Sequence, residues 1–232
     1  MGEWGVEAVG CERAARVWWA RLDPPWEVAA QMEAVLAPEE WARVRRMPEE
    51  AGRRFVVRRG ALRHLLAEWS GASPAALRFC YGPQGKPALA PPWSSSGLRF
   101  SVADSGEVAV FAVAQGVEVG VDVEAPRALP DALALAERFL SLEEAAWVRA
   151  QPAPQQGRAF LRCWTCKEAV LKARGDGLRG GLADFTAAHW ETPPRIIWSE
   201  PSPTHDWTIH TFRLAQDHLV ALASMQTWQK AF

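Results

Sequence analysis

An internal repeat constrains the fold of this 232-residue chain more than any other feature. The segment LAPEEWARV, from Leu36 to Val44, resembles LSLEEAAWV, from Leu140 to Val148. A helix-forming segment follows each at nearly the same distance: FVVRRGALRHLLA from Phe55, and FLRCWTCKEAVLK from Phe160. Chance recurrence is the alternative, but a spacing kept over two segments predicts that one structural unit occurs twice.

Strand patterns flank both helical segments in the same order. RVWWARLD precedes the first and VEVGVDVE the second, and a glycine turn then leads to short strands ending at Phe79 and Phe185. Two more patterns close each half: RFSVA and VAVFAV, then DWTIHTF and LVALAS. We therefore expect an α+β fold of two pseudo-twofold-related α/β subdomains of similar topology, residues 1–115 and 116–232. Ligand sites favour clefts between such units, so the active site is expected there.

Helix and loop boundaries follow from Gly and Pro. The segment Phe160–Arg174 lacks both and is rich in helix formers, which predicts a helix. Polar or proline-rich composition predicts loops at 83–97, 151–157 and 191–206.

Two carboxylates share one face of a predicted strand. In VGVDVE, Val119–Glu124, valines alternate with Gly120, Asp122 and Glu124. Because strand side chains have a period of two, Asp122 and Glu124 point the same way. Adjacent carboxylates repel unless a cation lies between them. This pattern is typical of either a solvated strand edge or a site for a hard divalent cation.

A third carboxylate and a lysine lie on the predicted helix. Glu168 and Lys172 are four residues apart and therefore neighbours on one helix face. A surface ion pair is the ordinary interpretation. Together with Asp122 and Glu124, however, Glu168 would complete a magnesium site, and Lys172 would hold phosphate as a point charge.

The same helix contains a C-x-x-C motif, Cys163 to Cys166. A redox cysteine normally occupies a helix N-terminus, whereas Cys163 is expected beyond the first turn. A zinc site would need a second C-x-x-C or a histidine pair, and the sequence has no helical histidine pair. We interpret both cysteines as packed helix residues, with a thiol redox or metal-binding protein as the alternative.

Arginines and one loop lysine supply positive charge in the first half. Arg43 and Arg54 belong to a set that would be either a solvated face or, with a phosphate-bearing ligand, its binding site. The whole set is Arg43, Arg45, Arg46, Arg53, Arg54, Arg58, Arg59 and Arg63. The loop YGPQGKP presents Lys86 between a glycine and a proline.

Composition and targeting signals limit the function classes. The formal net charge of −1 argues against a dedicated nucleic-acid binder. The acidic N-terminus lacks the apolar run of a signal peptide, Val6 breaks a myristoylation pattern, and no stretch predicts a membrane span. We expect a cytoplasmic protein, and a monomer because one chain supplies both halves.

The candidate residues form motifs in a recognisable order. They are GKP (Gly85–Pro87), FSVADSG (Phe100–Gly106), GVDVE (Gly120–Glu124) and WTCKEAVLKARGDGL (Trp164–Leu178). Together they resemble the 4'-phosphopantetheinyl transferases of the surfactin-synthetase-activating type, in the subgroup with W-x-x-K-E-A. The resemblance covers the chain from about Leu36 to Phe185.

The resemblance implies a reaction and its residues. Coenzyme A would lie between the halves, with Mg²⁺ or Mn²⁺ on Asp122, Glu124 and Glu168. A carrier-protein serine, in fatty-acid, polyketide, peptide or lysine pathways, would attack the β-phosphate and release 3',5'-ADP. Glu168 would accept the proton, and Lys172 would stabilise the transferring group. Lys86, Arg54 and, more weakly, Arg43 would contact the nucleotide; the helical face around 140–148 would help dock the carrier.

The chain departs from the family pattern at two positions. Asp104 stands where relatives carry a histidine that contacts the pyrophosphate, and Glu40 where they often carry a basic residue. A carboxylate near phosphate is repulsive, so Asp104 either turns away, joins the metal shell or weakens coenzyme A binding. The alternative to an active transferase is a relative that binds coenzyme A or carrier protein without transfer.

Overall fold

Two antiparallel sheets and two 22-residue helices organise the molecule. The computed structural model describes residues 6–11, 15–175, 177, 181–192, 194–198 and 207–225. The first half contains, in chain order, β1 (Val6–Cys11), β2 (Ala15–Arg21), α1 (Trp26–Ala34), α2 (Pro38–Val44), α3 (Glu49–Ser70), β3 (Phe79–Tyr81), β4 (Pro87–Leu89), β5 (Leu98–Ser105) and β6 (Val108–Gln115).

The second half repeats most of this order. It contains β7 (Val119–Glu124), α4 (Ala132–Phe139), α5 (Leu142–Arg149), α6 (Ala153–Arg174), β8 (Phe185–Ala188), β9 (Arg195–Trp198), β10 (Trp207–Arg213) and β11 (Leu219–Met225). Short 3₁₀ turns lie at Pro74–Ala76, Trp93–Ser96 and Ala215–Asp217.

Strand order also matches between the halves. The first sheet has the order β1-β2-β6-β5 and the other β7-β11-β10, so β2-β6-β5 corresponds to β7-β11-β10 and β1 is an additional edge strand of the first sheet. Two-stranded pairs, β3-β4 and β8-β9, follow the long helices. The mixed α/β architecture is that expected from the repeat, while the pseudo-twofold relation and the boundary at residue 115 remain predictions.

The two long helices keep a constant sequence register. They begin at Glu49 and Ala153, 104 positions apart, and their terminal glycines, Gly71 and Gly175, are separated by the same number. Both glycines have a left-handed backbone, with φ of 69° and 78°, which a residue without Cβ adopts at low cost. In this register Phe160 corresponds to Val56 rather than to Phe55.

A buried ion pair recurs at the same place in each half. The side chain of Arg63 in α3 bonds Glu40 of α2 (Nε–Oε2 2.9 Å), and that of Lys167 in α6 bonds Glu144 of α5 (Nζ–Oε2 2.8 Å). Each glutamate also accepts a hydrogen bond from the backbone at the start of its own helix. Both cations also donate to carbonyls that follow the long helices. Arg63 donates to those of Pro74 and Leu77, and Lys167 to those of Leu182 and Phe185. Glu40 is therefore a structural residue.

Strands β5 and β7 join the two sheets through side chains. Ser101 Oγ accepts a hydrogen bond from the Val121 amide (3.1 Å), and Ser105 Oγ accepts one from the Ala125 amide (3.0 Å). Valines on the inner face of β7 pack with β6 and with Ala103 in one apolar cluster. The first-half candidates are thereby held beside those of β7.

Several predicted boundaries are wrong. Helix α6 begins at Ala153, inside the predicted loop 151–157, because Pro154 occupies the first turn, where a missing N–H costs little. The short strands begin, rather than end, at Phe79 and Phe185. The loops predicted at 83–97 and 191–206 contain β4 and β9, while 193 and 199–206 lie outside the described residues.

No helix in the described part of the chain is both long and apolar enough to cross a membrane.

Candidate active site

A close approach between strand β7 and helix α6 builds the acidic part of the site. A Cβ at Gly120 would lie 2.0 Å from the carbonyl oxygen of Ala169 and 2.3 Å from the amide nitrogen of Ala173. Only glycine fits this contact. Because strand side chains alternate, Asp122 and Glu124 lie on the same face as Gly120. The face that they share with Gly120 is therefore the one on which α6 lies.

Asp122 is buried and only half satisfied. Its Oδ1 forms an ion pair with Lys172 Nζ at 2.7 Å, while its Oδ2 is buried and has no hydrogen-bond partner. Burial raises the pKa of Asp122 to about 7; the Lys172 charge opposes this rise, and the negative charges of Glu168 and Glu124 add to it. Lys172 therefore satisfies one oxygen of the Asp122 carboxylate and leaves the other without a partner.

Glu124 and Glu168 complete the acidic group. Glu124 Oε2 bonds Arg127 at 2.5 Å and lies 3.5 Å from Ser105 Oγ. Burial raises the pKa of Glu168; Lys172 opposes this effect and Glu124 adds to it. Lys172, predicted as the helical neighbour of Glu168, reaches across to Asp122 instead.

The donor set fits a hard divalent cation in kind. Three carboxylates influence one another, and a buried carboxylate oxygen has no partner. Oxygen ligands of this type suit Mg²⁺. Within the described residues, however, no three His, Cys, Asp or Glu side chains already stand close enough together to hold a metal ion. Lys172 and Arg127 occupy two of the carboxylates as internal counter-ions.

A cleft leads away from the acidic group between the two halves. Its first pocket has Lys86, Phe100 and Val102 on one side, and Leu171 and Lys172 on the other. A second pocket shares Gly85, Pro87 and Val102 with the first and adds Arg43, Arg58 and Arg59. A third shares Arg58 and adds Arg54 and Asp104. We call the second and third pockets the arginine end of the cleft.

Lys86 connects the halves across this cleft. Its Nζ donates to Glu118 Oε2 (2.7 Å) and to the carbonyl of Ala173 in the last turn of α6 (2.6 Å). Burial opposes ionisation of Glu118, but the hydrogen bonds and charges of Lys86 and Arg99 bring its pKa below the usual range. The loop lysine thus contacts the helix that carries Glu168 and Lys172.

Carboxylates and an aromatic ring position the arginine side chains at the arginine end. Arg54 pairs with Glu50 (2.9 Å) and Asp23 (3.4 Å), and the Arg43 guanidinium lies 5.1 Å from the centre of the Phe55 ring. The set of arginines is therefore not one solvated face, since Arg59 and Arg63 are also buried.

Asp104 faces Arg58 rather than the acidic group. The two side chains form an ion pair. Burial, followed by the charges of Arg59 and Arg43, lowers the pKa of Arg58 to about 10. Sequence reasoning placed Arg58 in the basic set but missed this contact, because the partners are 46 positions apart and no local pattern links them.

The cysteines of the C-x-x-C motif are packed in the interior, as predicted. Cys163 and Cys166 are both fully buried within α6, and Cys163 lies in the eleventh position of that helix. Burial raises the pKa of both thiols, which keeps them protonated.

The expected docking face around 140–148 is largely internal. Leu140, Ala145 and Val148 are buried against α4 and α6, and the large apolar side chain that is exposed in this stretch is Leu142, at 92%. Most of this apolar pattern therefore serves packing.

Comparison with known proteins identifies the family of this chain. The 4'-phosphopantetheinyl transferase superfamily matches residues 118–223, a range that includes Asp122, Glu124 and Glu168. The chain is 34% identical over 220 residues to the 4'-phosphopantetheinyl transferase HetI of Nostoc sp., covering 93% of this chain and 90% of that protein. It is 36% identical over 173 residues to slr0495 of Synechocystis sp., covering 72% and 67%.

A third relative is the 4'-phosphopantetheinyl transferase psf-1 of Bacillus pumilus, 33% identical over 135 residues, which cover 58% of this chain and 55% of psf-1. The chain therefore belongs to the 4'-phosphopantetheinyl transferase superfamily. The expectation of an enzyme of this class is confirmed. The assignment to the surfactin-synthetase-activating type remains a prediction.

Proposed function

We propose that the protein transfers 4'-phosphopantetheine from coenzyme A to a serine of an acyl, polyketide or peptidyl carrier protein, with Mg²⁺ or Mn²⁺, and releases 3',5'-ADP. The observation that carries this proposal is the acidic group of Asp122, Glu124 and Glu168 beside Lys172, at one end of a cleft whose other end holds arginines.

The proposed metal ligands are Asp122, Glu124 and Glu168. The partnerless Oδ2 of Asp122 supports this choice, as does the rise in the pKa values of Asp122 and Glu168 that burial and neighbouring carboxylates cause. When bound, the cation would neutralise charge on the pyrophosphate.

Glu168 is the proposed proton acceptor. The serine oxygen forms a bond to the β-phosphorus, the phosphoanhydride bond to the ADP portion breaks, and the serine proton passes to Glu168 directly or through water. A carboxylate whose pKa burial has raised accepts a proton more readily near neutral pH.

Lysine and arginine residues would bind the substrate's negative charges. Lys172 is on the wall of the first pocket and would turn from Asp122 towards the transferring phosphate. Lys86, Arg54 and Arg43 would contact the nucleotide end, and Asp104 would lie beside it. Since this leaves a carboxylate at the arginine end, a relative that binds coenzyme A without transfer is the second candidate.

Intact mass spectrometry tests the proposal directly. Several apo carrier proteins are incubated with the protein, coenzyme A and Mg²⁺. We expect a mass gain of one phosphopantetheine, lost with EDTA, restored by excess Mg²⁺ and absent in Glu168→Ala. No gain with any carrier, in a sample that titrates with coenzyme A, would favour the second candidate.

A further inference from the structure

Strand β5 presents alternate residues to two different partners. Ser101 and Ser105 bond to β7, whereas Phe100 and Val102 pack into the apolar cluster that includes α3. Asp104 continues the second series, so its carboxylate projects towards α3 and contacts Arg58 there. The ion pair is thus fixed by strand alternation and is not a chance surface contact.

Arg58 occupies a central place at the arginine end. It lines both the pocket with Arg43 and Arg59 and the pocket with Arg54, and 30% of its side chain is exposed. A partly desolvated guanidinium among other cations needs a nearby anion. Asp104 supplies that anion.

We propose that Asp104 is an internal counter-ion that competes with a phosphate of the substrate for Arg58 and so sets the affinity for coenzyme A. The inference rests on the proposed binding of coenzyme A in this cleft. Carboxylate and phosphate both match the planar donor fork of arginine, so they are alternative partners for the same group. Asp104 is 38% exposed and can be hydrated when it is displaced.

The test is a double-mutant cycle on substrate affinity. Asp104→Asn removes the competing charge and keeps the shape, so KM and the Kd from direct titration of coenzyme A should fall about threefold to tenfold. Arg58→Gln should raise both constants. In the Arg58→Gln protein, Asp104→Asn should bring no further gain, because the contested cation is absent.

Glu107→Gln is the matched control. Glu107 pairs with Arg21 at the surface, two residues beyond the end of β5, and its loss changes the net charge equally. We expect no change in KM or Kd for this variant. An equal gain in Glu107→Gln, or a gain from Asp104→Asn that persists without Arg58, would overturn the proposal, as would an unchanged Kd in Asp104→Asn.

Dephospho-coenzyme A identifies the phosphate. If Asp104→Asn gains affinity for coenzyme A but not for dephospho-coenzyme A, Arg58 contacts the 3'-phosphate. If it gains affinity for both, Arg58 contacts the pyrophosphate. Either result supports the competition between Asp104 and phosphate. Failure of the two proposals is distinguishable. If the protein transfers phosphopantetheine but Asp104→Asn and Arg58→Gln show no coupling in the Kd for coenzyme A, only the counter-ion proposal is refuted. If the Asp104→Asn variant binds coenzyme A more tightly but no phosphopantetheine is transferred, only the transferase proposal is refuted.

Discussion

The two halves share their framework but not their chemistry. From the start of β2 and of β7 to the glycines that end the long helices, residues 15–71 and 119–175 keep a constant offset of 104. The buried ion pair is present in both segments. The three acidic positions differ completely: Asp122, Glu124 and Glu168 correspond in the first half to Trp18, Ala20 and His64.

The difference separates the residues that stabilise each unit from those proposed to take part in the reaction. Trp18 packs edge-on against Trp69 with ring centres 6.3 Å apart, and Ala20 and Trp18 belong to the apolar core under α3. In the second half Asp122 and Glu168 carry charges that burial makes unfavourable. The first half therefore uses Trp18 and Ala20 for apolar packing, whereas the second half has carboxylates at the corresponding positions, which we propose form the site.

Substitution at the matched positions Glu168 and His64 provides the strongest test. Glu168→Gln should reduce the transfer rate by about 10²- to 10⁴-fold, because the proposed proton acceptor is lost. His64→Gln, at the equivalent place in α3, should cost only about 1–2 kcal/mol of stability. Carrier modification by mass spectrometry, normalised to folded protein, measures the first effect, and denaturant unfolding the second. A similar loss of rate in both variants would remove the chemical distinction between the halves.

The buried ion pairs test whether the shared framework also serves the site. Lys167→Met should lower the free energy of unfolding by about 3–5 kcal/mol, since it removes the cation paired with the buried Glu144. Arg63→Met should cost less, because Arg59 remains 3.3 Å from Glu40. Lys167 immediately precedes Glu168, so only its variant should also lower kcat in the folded fraction. Lys167→Arg is the conservative control and should recover most of both properties. Equal kcat in the two methionine variants would assign the second pair to folding alone.

Two variants separate the contacts that Lys86 makes across the halves from its proposed contacts with substrate. Lys86→Met should raise the KM for coenzyme A by about threefold to tenfold, through loss of a cation at the proposed nucleotide end. Glu118→Gln removes the inter-half ion pair but leaves the lysine, so its effect should be a stability loss of about 1 kcal/mol or less. If both variants raised KM to the same extent, Lys86 would act through its ion pair with Glu118 and not through a direct contact with substrate.

The smallest effect on activity is expected from the cysteines. In the first half their positions correspond to Arg59 and Leu62, so the C-x-x-C is not a feature of the repeated unit. Cys163→Ala with Cys166→Ala should cost about 1–3 kcal/mol of stability through lost packing and leave transfer unchanged. Loss of transfer in the folded double variant would instead support a thiol or metal role.

Much of the fold was accessible from the sequence because hydrophobic period and spacing are local properties. The alternation around Asp122 and Glu124 predicted their shared face correctly, and the repeat predicted the order of elements. The start of α6 was missed because Pro154 is typical of loops yet also acceptable in a first helical turn. The two-stranded pairs were misplaced because three- and four-residue strands carry too little pattern.

Pairings across the fold could not be predicted in the same way. The Arg58–Asp104 and Lys86–Glu118 contacts join residues distant in sequence, and nothing local to either partner marks the other. The burial of Arg63 and Lys167 was also unexpected, because long charged side chains usually reach solvent. A glycine inside the VGVDVE strand was a signal of close backbone approach that could have been recognised.

Gly120 limits relative movement of the two elements that carry the candidate site. Backbone contact at Gly120 leaves α6 no room to move towards β7, and the buried flank of the helix opposes movement away. The backbones that carry Asp122 and Glu168 are consequently held at a fixed separation. Closure of the carboxylates around a cation would therefore occur by side-chain rotation, as would the exchange of anions by lysine and arginine. A rigid backbone with adaptable side chains would limit the size of the ligand at the acidic end of the cleft and leave its charge to be matched at the arginine end.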